Sequence, residues 1–446
     1  MNTSMPAVEA VPVVKGWPII GSTKALLDNP IQLLLESYQE YGHIFKLKTV
    51  NQTITMMAGR EANLFLAKHA NELLSTKETW GSFVQSLNAE TVLVALDGEP
   101  HAKVRKALAR GYSPQMISGR FPKVVKLTEQ ILLARCQQEI AVVSFVQRLI
   151  TEQLGLLLVN RAPGEDFEHL SYFIRVTLNV TLLNMWPKIM LKHPRFIAAK
   201  KRIHALSDSI IAAHRANPRP EFPDLIDDIL ETYDEGLIHL SPEDMMVAVV
   251  GPFFAGMDTV TNTVSMFLYA LKQHPAIYER VKEEVDTVWA NGIPNSQLFQ
   301  KMQITHRFIL ETLRRYPVTP MIPRTAIKDF VFEGKQLKKG DTVYMAQSVT
   351  HFLPELFHDP MTFDIERFAP PRNEHKQKGA FSPYGIGAHK CLGARLGEIQ
   401  MLLTLATLIR TVEFDIVPKD YQLKMRTLPT IGPEPKFRIR LRKRKV

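Results

Sequence analysis

The sequence predicts a mainly α fold with a small β lobe. Helical periodicity fills most of the chain between residues 61 and 316, one segment is far longer than an ordinary helix, and β-prone runs gather toward the two ends. The periodic stretches fall at 61–70, 99–110, 121–139, 142–160, 166–180, 194–214 and 223–233, with Pro218, Pro220 and Pro223 marking a loop before the last. Another helical pattern covers 30–41. The longest segment starts at Ser241, a good cap, followed by Pro242 in the first turn and by Glu243 and Asp244 at the positive end; Pro275 stops it after Gln273. At about 30 residues it is well beyond the mean helix, long enough to cross a whole domain. Helices follow at 275–290, 304–316 and 392–410. Ile44, Phe45, Leu47, Ile54 and Met56 form two β-prone runs split by Asn51, a hairpin pattern, and short strands fall at 329–346 and 412–440. No repeat or low-complexity stretch divides the chain. The prediction is one domain over 1–446, its β-rich lobe drawn from about 15–60, 320–350 and 412–446 and its helical lobe from most of the rest.

Composition fits a globular protein: 45% of residues are hydrophobic and 22% charged. Two cysteines, Cys136 and Cys391, exclude a disulfide framework, a Cys-rich zinc module and a Cys-ligated iron–sulfur cluster. A reducing, cytoplasmic compartment fits best. The first residues show no charged start leading into an apolar run, and no segment reaches about 18 uncharged apolar residues, so neither a signal peptide nor a transmembrane anchor is expected. Net charge is +10. Part of it crowds the C-terminus at Arg438, Arg440, Arg442, Lys443, Arg444 and Lys445, read as a solvated end rather than a nucleic-acid site. The remaining surplus suits an acidic protein partner.

Four constellations carry chemistry. Phe381-Ser-Pro-Tyr384-Gly385-Ile-Gly387-Ala-His389-Lys390-Cys391-Leu-Gly393 surrounds a cysteine with glycines that let backbone turn tightly against a flat ligand. A helix starting just after Cys391 lowers a thiol pKa with its positive end. Glu311 and Arg314 sit at i, i+3 on one helix face, where they pair. Ala255-Gly256-Met257-Asp258-Thr259 lies mid-way along the long helix, where glycine costs stability and Thr259 can bond back to a carbonyl and open the helix. His101 and Arg105 form an i, i+4 pair. Each pattern alone is common; a lone cysteine is usually inert core, and ExxR usually a solvated helix face.

In this order and at these separations, the four resemble the cytochrome P-450 family, the haem-thiolate monooxygenases, from Gly16 to the C-terminus. The resemblance implies the family's triangular-prism fold with the long helix over the haem, and haem b (iron protoporphyrin IX) held by Cys391 as axial thiolate. Tyr384 stands where the family has Phe, and His389 where it commonly has Arg; a histidine is only partly charged near neutrality. The resemblance further implies that Gly385 and Ala255 lie against the haem, and that His101, Arg105, Arg324 and His389 serve its propionates. Phe363-Asp-Ile-Glu366-Arg367-Phe368 resembles the loop whose arginine completes a structural triad, here Glu311, Arg314 and Arg367. Asp258 and Thr259 resemble the acid–alcohol pair that carries protons during oxygen activation.

By resemblance, the reaction inserts one oxygen atom from O2 into a lipophilic substrate such as a terpenoid, steroid, fatty acid or secondary metabolite. Trp80, Phe83, Val84, Phe254, Val318, Met321, Ile322 and Ile431 fall where the family contacts substrate, although plain core packing explains each as readily. With no Rossmann fingerprint, flavin domain or cluster ligands, electrons are expected from a ferredoxin or flavodoxin with its reductase, acting on a soluble bacterial-type monomer. A peroxide-driven peroxygenase, an isomerase on the same scaffold and a haem sensor are the rival readings; the first two tend to lack the acid–alcohol pair.

Overall fold

The structure is a computed structural model that describes residues 9–50, 52–218, 222–290, 292–293, 297–428 and 430–445. Pro220 and Asn51, read above as loop and hairpin markers, lie outside the described residues. In chain order the elements begin with α1 (Thr23–Asp28), α2 (Pro30–Tyr41), β1 (Ile44–Lys48), β2 (Thr53–Ala58), α3 (Arg60–Leu73), β3 (Leu74–Ser75), α4 (Lys77–Leu87), α5 (Gly98–Ala109) and α6 (Pro114–Ile117). They continue with α7 (Phe121–Leu133), β4 (Glu139–Ala141), α8 (Val142–Leu158), α9 (Phe167–Thr181), α10 (Pro194–Ala216), α11 (Leu225–Asp234), α12 (Pro242–Gln273), α13 (Pro275–Trp289), α14 (Leu298–Lys301) and α15 (Gln303–Arg315). Then come β5 (Ile322–Ala326), β6 (Phe330–Phe332), β7 (Lys335–Leu337), β8 (Thr342–Ala346), α16 (Ala394–Thr411), β9 (Val412–Val417), β10 (Met425–Arg426), β11 (Gly432–Pro433) and β12 (Arg438–Lys443).

Contacts divide the chain into two units. The first holds residues 1–81, 94–98 and 319–391. Its five-stranded sheet has the order β1-β2-β8-β5-β3, with β2 and β8 parallel and the other pairs antiparallel. Alternation sends Phe45, Leu47 and Met56 into one apolar cluster with Leu34 and Phe357, and Ile44, Met57 and Val343 into another with Leu66 and Phe330. A sheet packed on both faces needs two such cores.

The second unit holds residues 82–93, 99–318 and 392–446. Its axis is α12, 32 residues long. Ser241 caps it in a reciprocal box with Asp244, as the sequence predicts, and Asp244 also accepts the backbone N–H groups of Glu90 and Thr91 at 2.7 Å. Pro252 lies inside this helix, a feature the periodicity did not single out; having no N–H, it frees the Ala248 carbonyl. Gly256 answers a packing demand. A Cβ there would lie 2.9 Å from Leu154 Cδ1 of α8.

Two expectations are corrected. Residues 412–446 belong to this helical unit, where β9, β12 and β4 form a three-stranded sheet, not to the lobe built on β1–β8. The predicted helix 121–139 stops at Leu133, because Glu139–Ala141 is drawn into that sheet against Arg438–Arg440. The basic C-terminus is likewise no loose end. Arg438 and Arg440 pair with Glu139, Arg442 with Asp415, and Arg444 donates to both carboxylate oxygens of Asp286 at 2.8 and 2.6 Å.

Glu311 and Arg314 are fully buried on α15 and joined by two hydrogen bonds of 2.7 and 2.8 Å. Removing one member strands the other charge away from water, at a cost of about 3–5 kcal/mol. Arg314→Leu is expected to lower stability by that amount, read as a shift in the denaturation midpoint with unchanged slope.

Candidate active site

The Cys391 loop is built by backbone. Gly385 (φ +76°) and Gly387 (φ +77°) occupy the left-handed region, and a Cβ on Gly387 would press to 3.3 Å from Ala67 Cα. The turn lets Cys391 N–H donate to the Tyr384 carbonyl at 2.8 Å. Ser382 ties the start of the loop: its N–H donates to His351 Nε2 and its hydroxyl to the Gln347 carbonyl. Cys391 is exposed, and α16 begins three residues later at Ala394. Cys136, by contrast, is a half-buried thiol whose pKa burial pushes up.

His389 points its Nε2 at Asp97 Oδ1, 3.2 Å away. Asp97, which the sequence reading passed over, is the hub of this corner. It accepts the Ser75 hydroxyl, the Thr76 hydroxyl at 2.9 Å, and the N–H groups of Thr76 and Lys77. Burial works against its charge, but the hydrogen bonds from His389, Ser75 and Thr76 outweigh burial and hold its pKa well below the usual carboxylate range. Arg324, on β5, is buried; desolvation pushes its pKa down to about 10, opposed by Asp97. Its Nε has no hydrogen-bond partner and its Nη1 donates only to the adjacent Pro323 carbonyl. Arg367 is fully buried in the same unit, and its guanidinium donates to Glu374 at 2.8 Å and to the carbonyls of His358, Asp359 and Thr362.

In the second unit, Thr259 Oγ1 donates back to the Ala255 carbonyl at 2.8 Å, the bond the sequence anticipates, yet α12 runs unbroken through it. Ala255 is exposed in mid-helix although Pro252, Phe253 and Met257 around it are buried. Asp258 turns toward α8, where Gln147 Nε2 donates to its Oδ1 at 2.7 Å. His101 is buried on α5, and Arg105 is half-buried one turn later.

The apolar candidates separate. Phe83 and Phe254 meet edge-to-face at 5.4 Å, with Phe173 against Phe254 at 5.7 Å. Ile431 N–H donates to the Val318 carbonyl at 3.0 Å, and Thr430 accepts from Asn262, one turn beyond Thr259 on α12. Gly432 allows this approach, since a Cβ would fall 2.3 Å from Asn262 Cγ. Val84 is buried and Trp80 half-buried on α4. Met321 and Ile322 pack on the two cores of the first unit.

Within the first unit the residues fit a haem: an exposed thiol on a glycine-shaped loop and a buried guanidinium whose Nε meets no hydrogen-bond partner. The family model for cytochrome P450 matches residues 11–439. This chain belongs to the cytochrome P450 family. As a P450 it is a monooxygenase, an oxidoreductase that works with haem. It is 25% identical to the abscisic acid 8'-hydroxylase CYP707A1 of Solanum lycopersicum over 92% of this chain and 87% of that one. It is also 25% identical to the putative cytochrome P450 120 of Synechocystis sp., over 99% of both. Among solved structures, the cytochrome P450DA haem domain superposes with TM-score 0.85 at 21% identity over 98% of each chain. Cyanobacterial CYP120A1 with bound retinoic acid superposes with TM-score 0.83 at 24% identity, over 98% of this P450 and all of that chain. The P450 fold read from the motifs is therefore the fold found.

Because the Asp97 pKa lies below its unfolded value of about 3.9, its hydrogen bonds contribute stability above that pH and lose it as pH falls further. Asp97→Asn is expected to melt below wild type at neutral pH, and the gap in Tm should narrow as the pH is taken under about 4.

Proposed function

We propose that this P450 hydroxylates or epoxidises a lipophilic substrate, with Cys391 as thiolate ligand of haem b and with Asp258 and Thr259 as the proton-carrying pair. The haem supplies the activation of dioxygen and the transfer of one oxygen atom. The observation that carries the reading is the acid–alcohol pair itself: Thr259 bonded to the Ala255 carbonyl beside the exposed methyl of Ala255, with Asp258 held by Gln147. A hydroxyl that already donates to a carbonyl keeps its lone pairs free to accept a proton donor such as water. Asp258, partly buried and hydrogen-bonded, can hand a proton inward by rotating off Gln147.

Arg324 is assigned to a propionate, which would satisfy its orphaned Nε, and His101 and Arg105, which the family resemblance matches to propionate ligands, are assigned to propionate binding as well. His389 reaches that region through Asp97. Gly385 and Tyr384 shape the cysteine turn. Arg367 is assigned as third member of the triad with Glu311 and Arg314, all three being fully buried. Phe83, Phe254, Val318 and Ile431 are the preferred substrate contacts, with Trp80 and Val84 behind them. Met321 and Ile322, which pack on core, are secondary. The aromatic lining supports a lipophile, and the names of two relatives, an abscisic acid hydroxylase and a structure holding retinoic acid, favour a lipophilic carboxylic acid within that class. Electrons are assigned to a ferredoxin or flavodoxin with its reductase, and the enzyme to a single catalytic domain, a cytoplasmic monomer with no nucleic-acid partner.

The test is spectroscopic and then kinetic. The reduced wild type with carbon monoxide should give a thiolate-type Soret band, lost in Cys391→Ala and Cys391→His; a globin-like band in fresh wild type would overturn the ligand assignment. Thr259→Ala should lower product formation by ~10²-fold, the contribution of a positioned proton carrier, while reducing equivalents continue to be consumed as peroxide. Turnover with hydrogen peroxide alone, matching the reductase-supported rate, would replace this reading with a peroxygenase.

A further inference from the structure

Charge is buried where α10 ends and α11 begins. His214, in the last turn of α10, is 3% exposed, and Asp224, the N-cap of α11, is 1% exposed. The imidazole Nδ1 lies 2.8 Å from the Ile210 carbonyl oxygen, and Nε2 lies 3.0 Å from Asp224 Oδ2. Both neighbours are acceptors. A neutral imidazole has one N–H and would set a bare nitrogen lone pair against one of these oxygens; only imidazolium donates to both. Asp224 is itself shared. Its Oδ1 accepts the Ile226 and Asp227 N–H groups that start α11, Asp227 accepts the Asp224 N–H at 2.9 Å, and Arg120 Nη2, from the turn before α7, stands 3.4 Å from Oδ2. Two cations therefore face two carboxylates while His214 is protonated, and one faces two when it is not. Ligand atoms of His214, Asp224 and Asp227 lie within 4.8 Å of one another, but Arg120 already brings a fixed cation there, so the ion this cluster exchanges is a proton rather than a metal.

We propose that His214 is a proton-operated latch between α10 and α11: with its second proton it fastens the last turn of α10 to the cap of α11, and without it that turn frays away. The cap is the fixed side. Arg120 holds the Phe222 and Pro223 carbonyls ahead of it, and a Cβ on Gly111, just past α5, would fall 2.7 Å from Leu225 Cα. At the other end of α10, Phe196 stacks on Phe173 at 5.5 Å, and Phe173 meets Phe254. The latch thus stiffens a helix that braces this aromatic cluster; its link to substrate rests on the lining proposed above, whereas the latch itself does not.

Other charged groups near the junction are Arg215, paired with Asp234 at 3.1 Å, Arg161, which donates to Ser209, and Arg110, which donates to Asp228 at 2.6 Å and to Glu231. Burial opposes the charge on His214, but the bond to Asp224, the Asp224 charge, the Ile210 carbonyl and Asp227 outweigh it and push its pKa up. The latch therefore contributes fully below the unfolded value of about 6.5 and is lost as pH rises through the folded-state pKa. Buried Asp228, whose pKa burial raises to about 6, also binds its proton more tightly in the fold, but over a lower range of pH.

The test follows backbone hydrogen exchange over the last two turns of α10 in full-length, haem-loaded protein, corrected for the intrinsic rate, from about pH 6 to about pH 9. Wild-type exchange there is expected to speed up by roughly tenfold or more, the size of one hydrogen bond to a charged group. His214→Gln and Asp224→Asn should each remove that pH dependence, and should lower Tm more at the acid end of the range than at the alkaline end. Arg215→Ala, which breaks only the exposed pair, should leave the dependence in place. Wild-type protection that does not change with pH overturns the proposal. So does a dependence that survives in His214→Gln and disappears in Asp228→Asn.

Discussion

A guanidinium taken out of water must find its counter-charge or its carbonyls, and this constraint organises the protein. Among the described residues four arginines are buried. Arg314 is matched by two bonds to Glu311, Arg367 by Glu374 and three carbonyls, and Arg120 by carbonyls of Met116, Phe222 and Pro223 with Asp224 near. Arg314 and Arg367 find these partners within nine residues of themselves, whereas Arg120 ties its own turn to the segment at Phe222 and Pro223 about a hundred residues on. Arg324 is nearly as dry: its pKa is pulled down by desolvation, and its Nε, like that of Arg120, meets no hydrogen-bond partner. No carboxylate among the described residues pairs with it as Glu311 pairs with Arg314 and Glu374 with Arg367, which is why it is proposed above as a propionate partner.

The same economy governs α12. Its surface is gripped just after one exposed methyl, that of Ala255: Leu154 packs against Gly256, Gln147 bonds Asp258, and Thr430 and Gly432 meet Asn262. These contacts fix the helix face while leaving Ala255 uncovered. A helix of 32 residues tolerates Pro252 within it because its ends are held by a capping box and by tertiary packing rather than by propensity.

What was legible in the sequence was local. The capping box at Ser241, the back-bond of Thr259, the turn glycines at Gly385 and Gly387 and the Glu311–Arg314 pair are all set by neighbours within a few residues, and the structure has each of them. What was missed is long-range. Asp97 lies far in sequence from His389, Gln147 from Asp258, and Gly256 takes its meaning from Leu154 on another helix. No spacing rule announces such partners. His389 was singled out in the sequence as standing where the family commonly has Arg, but nothing in it named Asp97 as its partner. The β strand at 412–417 was read correctly as a strand but placed with the wrong lobe, since alternation tells which face is buried and not which sheet it joins.

Charge was misjudged for a related reason. The C-terminal arginines looked like the excess, yet Arg438, Arg440 and Arg442 alternate outward on β12 to meet Glu139 and Asp415, and Arg444 just past the strand meets Asp286. The uncompensated charge lies instead between His169 and Ser207, in the same stretch that turns Ile189 and Ile197 to solvent. Charges that stand close in sequence can thus be paired by the fold, while a stretch with no acid of its own keeps its excess, and only the structure distinguishes the two.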